Sequence, residues 1–499
     1  MKLLTTSLAV LLCALIIAPA SVQQSALPAA PSRTPVQARA EQMRLTTTSQ
    51  HARELFGEAV TLSGNYRLDE CLKNLRAAVA ADQDFAAAWS LLAYYATDSR
   101  EAADALTRAQ RLVGKASPSE MLFVRWIAAL KRNDQLAAIS NLNDLVRRES
   151  ADKYVLYLAG RWFLDQHDQR KAVPLFEQVL LLDAGFTPVL NRLGYAYAAA
   201  GDMARAESLM QRYVTAMPAD PNPEDSYGDI LFKAGRYEEA RKHFELALKK
   251  DPAFGPSQHE LGDVYAMLGD QDAARDAYEK SARVAANPRR SLEYRSSIAL
   301  MFVRQGQYIL ADGEYEKLAA EAKIRKYADL ESTFHEAMAL YQRDDLAAAK
   351  HLDAAEEAIR NDADLAVVTR DEHMAMIRRW RGIRSQHAGN SAMAEVCLHV
   401  LQQKYDSSEN EFVGEQLHAL RGALLLDRHK PAEAVAELED AGEDAFALEL
   451  LARAKREAGD AQGADTALRH LLGIHAATID AVLVVEPARQ KATAAAASR

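Results

Sequence analysis

The chain has 499 residues and only three cysteines, which excludes a fold stapled by disulfides. Cys13 lies in the apolar start, so Cys71 and Cys397 are left, and each reads as a buried thiol. Basic blocks are also missing. Acidic side chains outnumber basic ones by 70 to 60, for a net charge of −10. Such a surface argues against nucleic acid, whose affinity comes from lysine and arginine on phosphate, and against adhesion to an anionic membrane. Beyond the first twenty residues no apolar run is long enough to cross a bilayer. Strand-like alternation is nearly absent, and the one β-branched stretch, "AVLVVEP" at 481–487, reads as the end of a capping helix or an ordered extension.

Motifs of catalysis and metal binding are lacking too. His259-Glu260 and His335-Glu336 begin like a zinc-protease helix, but neither has a second histidine four residues after the first. Gly114-Lys115 lacks the earlier glycine of a phosphate loop, and no Gly-x-Ser-x-Gly elbow occurs. Cys397 and His399 point to different faces of a helix, and "NDAD" at 361–364 is too short for a calcium loop. No catalytic residue, cofactor or metal is expected. In "IRRWRGIR" (377–384), Trp380 is expected to pack between units, with Arg378, Arg379, Arg381 and Arg384 in solvent.

What the sequence does have is a period. Gly160, Gly194, Gly228 and Gly262 fall 34 residues apart, and twelve residues after them stand Ala172, Ala206, Ala240 and Ala274. Four further on come Phe176, Met210, Phe244 and Tyr278. Glycine is scarce (22 residues), so chance alignment is improbable, roughly one in ten thousand at average usage. A fixed period of this length marks a helical repeat array. Each unit reads as two helices: Tyr227, Gly228 and Leu231 make a stripe on the first, and Gly235 ends it. Ala240, Phe244, Ala247 and Leu248 make a stripe on the second, and Pro252 closes the unit. The small residues are expected where the two helices cross closest, and the large residue between neighbouring units. One hairpin cannot bury its own apolar face, so neighbours must stack.

The glycine, alanine and large-residue register resembles the tetratricopeptide repeat family, as does the opening Trp89, Leu92, Ala93. About twelve units fit, over 46–475, with the best matches in 153–288. The step from Ala337 to Gly382 is 45 residues, so a longer second helix or a loop is expected there, and with it a break in curvature. The resemblance implies an all-α, right-handed superhelical solenoid whose first helices line a concave groove. It places Tyr157, Arg161, Asp165, Asn191, Tyr195, Asp225, Asp229, Phe232, Lys233, His259 and Asp263 on that wall. Tyrosines and carboxylates with few cations suit a peptide with basic or mixed side chains. Lysines that clamp a C-terminal carboxylate in some members are missing.

Residues 1–20 carry a positive start, an apolar core and a small-x-small site at Ala18-Pro19-Ala20, the pattern of a secretory signal peptide. Residues 21–45 read as a flexible linker and 476–499 as a C-terminal cap or tail. The expectation is a non-catalytic adaptor of a bacterial envelope, periplasmic or secreted, which grips a protein partner in its groove. The alternatives are a regulatory subunit of an enzyme of wall or polysaccharide assembly, and a self-associating architectural protein.

Overall fold

Glycine followed by aspartate sets the joint of several hairpins. Gly201, Gly269 and Gly459 sit at φ of +77°, +86° and +87°, where a side chain would be strained, and each ends a first helix. The next residue starts the second: Asp202, Asp270 and Asp460 accept hydrogen bonds from the backbone N–H groups of Arg205, Ala273 and Gly463. Each such cap contributes about 1 kcal/mol.

The computed structural model describes residues 43–497, apart from 66, 97, 133, 166, 167, 363, 364, 409 and 443. The expected signal peptide and nearly all of the linker lie outside the described residues. Two compact units divide at Pro218–Ala219. In unit 1, α1 (Gln50–Gly64) pairs with α2 (Leu68–Ala81), α3 (Ala86–Tyr95) with α4 (Ser99–Leu112), and α5 (Pro118–Lys131) with α6 (Gln135–Arg148). Then α7 (Lys153–Asp165) pairs with α8 (Gln169–Leu182), and α9 (Thr187–Ala199) with α10 (Met203–Ala216).

Unit 2 continues with α11 (Asn222–Lys233) on α12 (Tyr237–Lys250), α13 (Gly255–Leu268) on α14 (Gln271–Arg283), and α15 (Pro288–Arg304) on α16 (Tyr308–Ile324). Next come α17 (Ala328–Tyr341) on α18 (Asp345–Asn361) and α19 (Val367–His387) on α20 (Ser391–Ser408). Last are α21 (Glu411–Asp427) on α22 (Pro431–Leu438) and α23 (Ala445–Glu457) on α24 (Ala461–Leu472). A π turn over Ala481–Val485 then leads into α25 (Glu486–Ala497), so the β-branched stretch is helical. The described residues contain no strand, and twelve hairpins account for the repeat.

The repeat positions pack at the closest approach within each hairpin, and Phe244 also meets Leu261, Val264 and Ala277 of the next one. A Cβ on Gly160, Gly228 or Gly262 would come within 2.6 Å of the Phe176 ring, 2.7 Å of the Phe244 ring, or into the Tyr278 ring, and one on Gly194 would strike Met210. The large residue therefore lies on the glycine of its own hairpin, which is why that position is small. The alanines Ala172, Ala206, Ala240 and Ala274 are fully buried. The long step from Ala337 is absorbed by helix length, 17 residues in α18 and 21 in α19, and the division of the chain falls at Pro218 instead.

The arginine cluster of α19 overturns the solvent reading. Arg378 and Arg381 bind Glu356 of α18, and Arg384 donates to the carbonyls of Ala339 and Leu340 at 3.0 and 2.9 Å. Arg379 is buried and reaches Asp444 at 2.6 Å. Burial would raise the Glu356 carboxyl, but the guanidinium groups outweigh it and bring it down to about 2. Trp380 packs between hairpins as expected, edge-on to Phe446 at 4.6 Å. Cys71 and Cys397 are free and buried, and burial pushes the Cys71 thiol up to about 12.

Candidate partner-binding face

In unit 1 the first helices close on α1. Phe56 meets the rings of Phe85 and Phe123 at 5.3 and 6.4 Å, at the start of α3 and within α5. Gly57 lies under Tyr154 of α7, where a Cβ would stand 2.5 Å from the tyrosine hydroxyl, and Gly64 lies against Tyr157 and Pro188. Asn65 donates to Thr187 at 3.0 Å. These two glycines are one heptad apart on one helical face, and they let α1 approach α7 and α9. The residues just before α1 follow the same side: the Met43 amide donates to Asp152 at 2.7 Å and the Thr46 amide to Glu120 at 2.6 Å.

The expected wall residues of unit 1 are therefore engaged. Tyr157 is fully buried, 6.2 Å from Phe176 and 5.3 Å from Phe186, and its hydroxyl has no hydrogen-bond partner. Arg161 donates to the Tyr95 hydroxyl at 2.6 Å, which donates to Ser63 of α1 at 3.0 Å. The charge of Asp165 further stabilises the Arg161 cation. Asn191 is buried and Tyr195 half-buried. α1 covers Tyr157 and the Tyr95–Arg161 pair, while Asp165 is exposed.

Unit 2 gathers carboxylates instead. Asp225 accepts a hydrogen bond from Ser257 at 2.6 Å, and Asp229 pairs with Lys233 at 2.7 Å. Asp263 accepts from the Tyr278 hydroxyl at 2.6 Å, while His259 bonds Ser297 at 2.8 Å and stacks on Tyr294 at 4.8 Å. Burial pushes the Asp225 carboxyl up to about 7, and it also raises Glu260 and Asp263 and lowers His259. His259, Glu260 and Asp263 bring one ligand atom each within 4.8 Å of the others. Imidazole with two carboxylates is a donor set divalent cations accept, yet two of the three already have protein partners. Phe232 is buried and turns toward Tyr237, 5.4 Å away, so it offers little surface.

Sequence reasoning missed what lies over the C-terminal ends of these first helices. After α24 the chain turns back as a strap, residues 474–489. His475 sits on Gly235 and shares a hydrogen bond of 2.5 Å with Tyr237. Ala477 packs on the cluster of Leu231, Phe232, Leu261 and Val264. Ile479, Val482 and Leu483 rest on the cluster that runs from Leu292 to Tyr341. Glu486 accepts from Arg304 at 2.9 Å. The period of "IDAVLVVE" would have flagged it: Ile479, Val482, Leu483 and Glu486 fall on one helical face.

Family models described as tetratricopeptide repeat match residues 163–224 and 224–287. No curated protein matches the chain. Among solved structures, MamA 41-end from Desulfovibrio magneticus RS-1 is similar at 21% identity, covering 33% of this chain and 94% of that one, with a TM-score of 0.31. PilW, a type IV pilus biogenesis factor, is similar at 16% identity over 40% of this chain and 92% of that one (TM-score 0.34). Yeast Tom70 shares 13% identity over 84% of this chain and 96% of that one (TM-score 0.43). Scores this low carry no argument about function.

Proposed function

We infer that this chain, a tetratricopeptide repeat protein, is a non-catalytic scaffold that binds a protein partner and serves a bacterial envelope. The reading is carried by one observation: helical hairpins take up the described residues from 50 to 472, four of them overlapping the two family matches, and repeat arrays of this kind offer surface rather than chemistry. The apolar, positively started residues 1–20 support export. With the inner side of unit 1 filled by α1, the partner segment belongs on the first helices of unit 2, near Asp229, Lys233, His259 and Asp263. Asp229 and Lys233 are the most accessible pair there, with side chains 16% and 37% exposed.

Affinity capture from the native envelope extract tests this. The tagged chain is compared with an Asp229→Lys, Lys233→Asp exchange, which keeps the pair but reverses the charge pattern. A partner held by the parent and at least tenfold weaker on the still-helical exchange supports the reading. A partner held equally by both moves the site off this face. No partner for either removes the adaptor reading and leaves self-association, which sedimentation reads.

A further inference from the structure

The strap lies on the face where a partner segment is expected, and it belongs to no hairpin. It starts after Gly473 caps α24, runs without regular secondary structure over Ile474–Ala477, and then makes the π turn before α25. The turn touches α15 and α23, both first helices of their hairpins. One side of it, Ile479, Val482 and Leu483, meets the α15–α17 cluster. The other side, Ala481 and Val485, meets Ala445, Leu448 and Leu471. The carboxylate of Glu486 sits one turn beyond the apolar residues and pairs with Arg304, whose side chain is only 8% exposed.

We propose that residues 474–489 occupy in cis a docking site on unit 2 for a partner's helical segment, whose apolar residues at i, i+3 and i+4 precede a carboxylate at i+7 that binds Arg304. The chemistry of the occupant is the chemistry of the site. Arg304 is a buried cation that donates to Glu486 and to the sulfur of Met267 at 3.9 Å, and its charge also reaches the Asp263 carboxyl. A ligand that lifted the strap without bringing a carboxylate would remove the carboxylate in direct contact with that cation, a cost that disfavours purely apolar ligands. Arg489 donates to the carbonyls of Leu472 and Ile474 at 2.9 and 2.6 Å and lies 3.1 Å from the His475 imidazole, which burial and that cation lower to about 4, leaving the ring a neutral acceptor. Asp480 is buried with Asp444 near, and both effects raise its carboxyl. A π turn costs regular hydrogen bonding and recurs at functional positions. A segment appended after the last hairpin can leave without unfolding one, so a better-fitting ligand displaces it.

The proposal rests on the adaptor reading, but its test needs no natural partner. The probe is a fluorescent peptide of residues 474–490, titrated into the full chain and into the full chain carrying Val482→Asp and Glu486→Arg, which releases the strap. The released chain is expected to bind the peptide at least tenfold more tightly than the parent. Adding Arg304→Glu to the released chain should cost at least tenfold, recovered by a peptide carrying Glu486→Arg. Hydrogen exchange on the unaltered chain decides the matter if the released chain does not fold: excess peptide should speed exchange of the strap amides. Equal binding to parent and released chain overturns the proposal. So does a folded released chain that ignores the peptide, a released chain that dimerises instead, or a parent whose strap exchange the peptide does not change. Failure here with a positive result for the Asp229–Lys233 exchange would leave the adaptor reading standing and remove only the strap.

Discussion

The two units solve the same problem with different ends of the chain. A row of first helices needs cover for its inner apolar side, and unit 1 uses α1, which is itself half of a hairpin. Its filler is locked by close approach at Gly57 and Gly64 and by the ring contacts of Phe56. Unit 2 uses a strap that follows the last hairpin and is held by buried Ala481, Val482 and Val485, by the His475–Tyr237 hydrogen bond and by the Glu486–Arg304 ion pair. A filler inside the repeat cannot leave without unfolding a hairpin, whereas one appended after it can. That difference is why a partner is placed on unit 2.

The comparison breaks most readily at Phe56. It is 4% exposed, and Phe56→Ala should lower stability by about 3–5 kcal/mol, read by thermal or urea melts. Leu483→Ala on the strap should cost about 1–2 kcal/mol, since that side chain is only partly buried. Equal losses would mean that the two fillers are equivalent. The hairpin cores, by contrast, should respond alike. Gly160→Ala in unit 1 and Gly228→Ala in unit 2 each press a methyl into a phenylalanine ring, and each should cost about 1–3 kcal/mol. A large difference between them would show that the repeat is not the same object in both units.

A third test uses pH and belongs to unit 2. The Asp225 carboxyl titrates near 7 in the folded chain against an ordinary 3.8, because of burial. The unfolded chain therefore loses this proton first, so stability falls as pH rises from about 4 to about 7 and the deficit persists above 7. Asp225→Asn removes the deficit while its amide oxygen can still accept from Ser257. The variant should be more stable than the parent by about 1–3 kcal/mol at pH 8, and equal to it below pH 4. No gain at pH 8 would mean that the carboxylate is ionised and solvated there. A small effect is also expected at Arg304→Ala, about 1 kcal/mol, because the remaining Glu486 is 22% exposed and rehydrates.

Much of the fold was legible because it repeats. Glycine before aspartate fixes a helix end and a helix start, and the glycine–alanine–large register fixes which residues pack inside each hairpin. The inner face was not legible, for a physical reason. Period 34 says how neighbours stack, while α1 and the strap cover the array by contacts that span several hairpins and follow no period. Tyr157 packs on Phe176 and Phe186 nearby in the chain, but also on Gly64, about ninety positions away. The arginines of α19 were misread for a similar cause. Composition shows four cations in eight residues, but their acceptor Glu356 lies on the preceding helix and Asp444 on a later hairpin. The charge at Asp225 and Asp229 could be read from the sequence; its burial could not.

The central claim is that the cover of unit 2 opens while that of unit 1 does not. Native-state hydrogen exchange on the full chain, followed by mass spectrometry, reads both at once. Amides of residues 479–489 should exchange through an opening that leaves α15 and α23 protected, while amides of α1 exchange only when unit 1 unfolds. Exchange of the strap and of α15 in step, or of the strap as slowly as α1, would contradict the account.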